Sequence, residues 1–106
     1  MNIFELRTYT LHVGKLNKAI EVYENLGWPA LKKYKKNIVR YYIGDVGALN
    51  QIIHLWQFED DNMRRALWKT IYADQDFLKF ATEFRPLVLT QENKLMTAAP
   101  WTPILN

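Results

Sequence analysis

The sequence predicts one α+β domain in which helices cover one face of a four-stranded antiparallel sheet. Three observations carry this reading. Apolar residues recur every second residue in some segments and at helical spacing in others, in the order β-α-β-β-α-β. Two central strand-like runs flank the short loop Gly44-Asp45-Val46-Gly47, which reads as an antiparallel hairpin. The 106 residues, 49% hydrophobic and 24% charged, suit a single core, because chains of this size bury well over half of their unfolded surface.

The elements follow in order. Ile3 to Thr10 alternates, with Phe4, Leu6 and Thr8 on one side and Glu5, Arg7 and Tyr9 on the other, so it reads as a strand. His12-Val13-Gly14 breaks it. From Lys15 a helix carries Leu16, Ala19, Ile20, Tyr23 and Leu26 on one side, opposite Lys18, Glu21 and Glu24. Gly27 is expected at its C′ position and Pro29 in the first turn of a short continuation, so the helix should bend there. Asn37 to Gly44 is a second strand. Gln51 to Glu59 is a third, with His54, Trp56 and Phe58 on one face and Ile53 and Leu55 on the other. Asp60 or Asp61 should cap a helix through Met63, Ala66, Leu67 and Ile71. Asp74 is expected to cap the next, which carries Phe77, Phe80, Ala81 and Phe84 and ends at Pro86. Gln91 to Ala98 is the last strand, and residues 98–106, with Pro100-Trp101-Thr102-Pro103, form an extended tail.

This order is the ferredoxin-like pattern of two split β-α-β units, here over a single domain spanning 1–106. If Phe4, Leu6, Ile53 and Leu55 turn toward the helices, then Glu5, Arg7, Tyr9, His54, Trp56 and Phe58 turn away. A face holding Trp56 and Phe58 suits an interface or ligand better than bulk water. The expected solution is a homodimer whose two sheets close into an α+β barrel around a shared pocket.

Composition removes several functions. The chain has no cysteine and no serine, so it holds no disulfide, thiolate metal site or iron–sulfur cluster. Serine– and cysteine–histidine triads are equally excluded. A net charge of +3 does not call for a nucleic-acid partner. No apolar run approaches the roughly 20 residues of a membrane-spanning helix. The start resembles neither a secretory signal nor a mitochondrial presequence, so a soluble cytoplasmic protein is expected. His12 and His54 lack HExxH spacing, and the four glycines form no phosphate-binding motif. No metal and no cofactor are expected. The run Lys32-Lys33-Tyr34-Lys35-Lys36 reads as the solvated end of a helix.

Ile3-Phe4-Glu5-Leu6-Arg7-Thr8-Tyr9-Thr10-Leu11 followed by Gly14-Lys15 closely resembles the start of the NIPSNAP domain. So do Asn50-Gln51-Ile52-Ile53-His54-Leu55-Trp56, Arg85-Pro86-Leu87 and Gln91-Glu92-Asn93-Lys94-Leu95. The resemblance implies a dimeric α+β barrel, a fold shared with antibiotic-biosynthesis monooxygenases, haem-degrading enzymes and small-molecule isomerases. It implies no particular activity and transfers no catalytic motif.

Candidate site residues come from the polar and aromatic face. Glu5 and His54 are the candidate acid/base pair, because a buried carboxylate beside an imidazole is able to move protons. Arg7 is a candidate for binding a carboxylate or enolate oxygen. Tyr9, Tyr42 and Trp56 are expected to wall the pocket, Tyr42 being preferred over Tyr41 because Arg40 and Tyr42 would then join that face. Each has a plainer alternative in an internal ion pair, a satisfied core histidine or aromatic packing. Three functions remain open: a homodimeric small-molecule-binding protein, a cofactor-independent monooxygenase- or isomerase-type enzyme, and a non-catalytic interaction module.

Overall fold

The structure is a computed structural model describing residues 2–103, so residues 104–106 of the tail lie outside the described residues. Strand β1 spans Ile3–Leu11, β2 Ile38–Ile43, β3 Gln51–Phe58 and β4 Val88–Thr97. They form one sheet in the order β2-β3-β1-β4, and every pairing is antiparallel. This is the ferredoxin-like arrangement.

After a turn at residues 12–15, the chain stays helical up to β2. Helix α1 (Leu16–Val22) runs into a π turn (Tyr23–Gly27), then α2 (Trp28–Leu31) and a 3-10 segment (Lys32–Asn37). Gly27 is therefore no C′ residue: its φ of −70° is ordinary right-handed helix. It is glycine because a Cβ there would lie 2.7 Å from both Phe80 Cε1 and Tyr23 Cδ1. The helix passes that close to its neighbour, and π turns of this kind occur often beside functional sites.

Helix α3 (Asp61–Ala73) is capped by Asp60, whose side chain accepts from the Met63 N–H. Helix α4 (Gln75–Phe84) is capped by Asp74, which accepts from the Asp76 N–H. Asp74 also accepts from Lys33 Nζ at 2.7 Å and Tyr34 Oη at 2.6 Å, tying the 3-10 segment to the α3–α4 junction. Hydrogen bonds from Lys33, then Tyr34, lower its pKa to about 2. The buried core lies between sheet and helices and includes Leu11, Val22, Ile52, Trp56, Phe58, Ile71 and Phe84.

The orientation of the sheet reverses the expectation. Glu5, Arg7, His54, Trp56 and Phe58 share one face as predicted, yet they are buried and face the helices. Phe4, Leu6, Ile53 and Leu55 are half-buried on the opposite, helix-free face. The reason lies in α3. Its inward side is Arg64, Leu67, Trp68 and Ile71, while Met63 and Ala66 face outward. Arg64 and Trp68 supply the charge and the N–H that let Glu5 and Arg7 enter the core.

Candidate functional site

Strand geometry places Glu5, Arg7 and Tyr9 about 6.7 Å apart on one side of β1, and helix geometry places Arg64, Trp68 and Tyr72 about 6 Å apart along α3. The two stripes interlock. Glu5 Oε1 accepts from Trp68 Nε1 at 2.9 Å and from Arg64 Nη1 at 3.4 Å. Its Oε2 accepts from Arg7 Nη1 at 3.0 Å. Arg7 also donates through Nε to Tyr9 Oη at 3.0 Å and through Nη2 to Tyr72 Oη at 3.2 Å. Its guanidinium lies 3.9 Å from the Trp68 ring centre, a cation–π contact in a dry environment. Three of the five N–H groups that an arginine carries are thus engaged, in a fixed plane.

His54 is directly opposite Arg7 in the sheet register. Its ring is held between Tyr9, 5.2 Å away at 9°, and Tyr41, 4.6 Å away at 6°. Trp56 Nε1 donates to His54 Nδ1. Indole N–H only donates, so Nδ1 must accept and the ring proton sits on Nε2. That Nε2–H is buried and has no hydrogen-bond partner among the described residues, a state that costs about 1–3 kcal/mol. Burial, and then the nearby Arg7 charge, push the His54 pKa well below the usual imidazole range. The ring is therefore neutral at physiological pH. Burial likewise raises the Tyr9 and Tyr41 phenols, which stay protonated.

A cavity of about 270 Å³ opens against this group. Arg7, Tyr9 and His54 line it from the sheet, and Trp68, Tyr72 and Phe84 from the helices. Exposed Arg85 and Gln91 also border it. A larger concavity of about 700 Å³ runs along β2 and borders Trp28, Tyr42 and Ile43. Its wall is apolar apart from Glu24 and the tyrosine hydroxyls, so convergent polar chemistry belongs to the smaller cavity.

The expected residues divide accordingly. Arg7, Tyr9 and His54 come together at the cavity. Glu5 and Trp56 stand behind its wall, fixing Arg7 and His54 respectively. Glu5 and His54 do not form a pair: the carboxylate is turned to Arg7, Arg64 and Trp68. Tyr42 sits opposite Ile53 on the helix-free face, and Tyr41 takes the place beside His54. A register shift between Ile38 and Arg40 causes the exchange, since a bulge moves every later side chain to the other face. Sequence reasoning missed Arg64, Trp68 and Tyr72, whose four-residue spacing was a usable signal. Among the described residues, no group of three His, Cys, Asp or Glu side chains gathers as a metal site. No helix among them is long and apolar enough to cross a membrane.

The fold defines a ferredoxin-like α+β protein. An antibiotic biosynthesis monooxygenase superposes with a TM-score of 0.66 over 92% of this chain and 99% of its own, at 13% identity, a likeness of fold alone. The family is closer: the NIPSNAP family profile matches residues 4–103, and the chain belongs to the NIPSNAP family. A NIPSNAP family protein with unknown function from Agrobacterium tumefaciens is 30% identical, with a TM-score of 0.90 over 98% of this chain and 94% of its own. Another from the same organism is 23% identical, with a TM-score of 0.91 over 99% and 100%. The mouse (Mus musculus) protein NipSnap homolog 3B is 24% identical over 103 residues, covering 95% of this chain. This chain spans 41% of that relative's length.

Proposed function

We propose that this chain, as a single domain over 1–106 with an extended tail from 98, is a homodimeric small-molecule-binding protein. Each protomer holds one small organic ligand between its own sheet and helices. Two copies meet through the helix-free sheet faces and close the α+β barrel. One observation supports the ligand site: His54, whose buried Nε2–H has no partner among the described residues, belongs to the wall of an aromatic cavity. The half-buried stripe of Phe4, Leu6, Ile53 and Leu55, with no described element over it, supports the second copy as its cover.

A base-catalysed monooxygenase or isomerase would need a free lone pair beside the substrate. Trp56 occupies the one on His54 Nδ1, and Glu5 is held by two arginines and an indole. Binding is therefore favoured over catalysis. The cavity in turn favours binding over a purely structural interaction module.

Nuclear magnetic resonance with toluene, benzamide and benzoate as probes tests the cavity. Saturable shifts at Ala81 and Val88 are expected for at least one probe, and none for any of the three would end this reading. Light scattering at micromolar concentration should give twice the 12.6 kDa chain mass; a monomer would remove the closed barrel.

A further inference from the structure

We infer that the cavity selects a small planar carboxylate, whose oxygens are received by the His54 Nε2–H and by the Arg7 guanidinium. The inference rests on the cavity being the ligand site and adds the chemical class of what enters it. Charge comes first. Two arginines, Arg7 inside and the exposed Arg85, line the cavity, and no Asp or Glu side chain does. The one carboxylate close by, Glu5, is already shared between Arg7, Arg64 and Trp68. Arg64 has a second acceptor in Asp61 Oδ1, 2.8 Å from its Nε, so both guanidiniums are ion-paired. With Arg7 paired to Glu5 and the exposed Arg85 at its border, the cavity lining is positive in sum and attracts an anion over a cation.

Donor geometry comes second. His54 lines the cavity with Nδ1 committed to Trp56, so the end of the ring that carries the proton is a donor and nothing else. Arg7 lies directly across the sheet from it, with N–H groups left after Glu5, Tyr9 and Tyr72 are served. Two donors on neighbouring strands, both on residues that line the cavity, match in number the two oxygens of a carboxylate. An aldehyde, an amide or an amine would satisfy the pair less well. Shape comes third. Tyr9, Trp68, Tyr72 and Phe84 supply aromatic walls, which favour a flat ligand, and about 270 Å³ restricts it to a small one.

Titration of the intact protein with benzoate, benzamide and toluene decides the matter by isothermal calorimetry and ¹⁵N resonance shifts of the histidine rings. Benzoate should bind at least tenfold more tightly than isosteric benzamide and should shift His54 Nε2 while leaving His12 unmoved. His54→Phe keeps a stacked ring but loses the donor, and should weaken benzoate tenfold or more while changing toluene far less. The wild-type comparison stands alone should that variant not fold. Benzamide or toluene binding as tightly as benzoate would overturn the anion selectivity and leave the binding site intact. Failure of all three to bind would overturn the site itself.

Discussion

The two faces of the sheet are inverted relative to an ordinary half-covered sheet. The face under the helices holds Glu5, Arg7 and His54, all 4% exposed or less, whereas the helix-free face presents Phe4, Leu6, Ile53 and Leu55. A paired cluster of charge lies inside, among Ile52, Trp56 and Phe58, and an apolar stripe lies outside, beside Arg40, Glu92 and Lys94. Burying a charge is tolerated only when it is paired and hydrogen-bonded, and here α3 supplies those partners. The buried polar cluster is thus a built feature, and the apolar stripe is the surface on which the proposed dimer would rest.

The largest expected effect comes from breaking the pairing. Glu5→Ala leaves two guanidiniums and an indole N–H without their shared acceptor, and should cost about 3–5 kcal/mol in denaturant unfolding. Glu92→Ala, on the exposed strand β4, should stay within about 0.5 kcal/mol. Equal losses would mean that the two faces do not differ as described. Next is Gly27→Ala, which drives a Cβ against Phe80 and Tyr23. Overpacking of this kind should cost about 1–3 kcal/mol in the same unfolding experiment.

A smaller, pH-dependent effect sharpens the contrast further. The folded-state pKa of His54 lies below its unfolded value, so its contribution is fully present above about pH 6.5. Below that pH the unfolded chain takes the proton first, and stability falls by up to about 1.4 kcal/mol per pH unit toward the lowered folded value. Arg7, across the sheet, and the phenols of Tyr9 and Tyr41 face the ring throughout. His54→Phe should abolish this slope between pH 6.5 and 5. Asp74 acts in a separate window, because its stabilisation is lost only as pH falls from its usual 3.8 toward about 2. An unchanged slope in the variant would place the acid sensitivity elsewhere.

Much of this was legible in the sequence. Element order, the Asp74 cap, a cap at Asp60 or Asp61 and the partition of β1 and β3 into two faces all follow from local patterns. Which face turns inward did not, because alternation fixes the partition but not its sign. The sign depends on which side of α3 packs down. Met63 and Ala66 read as part of the apolar stripe of α3, and nothing marks Arg64 as inward until the Glu5 carboxylate is known to be waiting. Tyr41 and Tyr42 exchanged places because a bulge leaves no mark in residue type. Gly27 read as a helix end, since close approach of Phe80 is a long-range fact.

The inversion has one direct consequence. If the ligand site belongs to each protomer, dissociating the proposed dimer should not destroy it. Leu55→Glu places carboxylates on the helix-free face, where like charges brought together cost several kcal/mol, and its side chain lies on the face opposite the cavity. The decisive measurement is calorimetric titration of benzoate into this variant under conditions where light scattering finds it monomeric. Affinity within about threefold of wild type is the predicted result. Loss of binding together with the dimer would contradict the account and return the site to the space between two sheets.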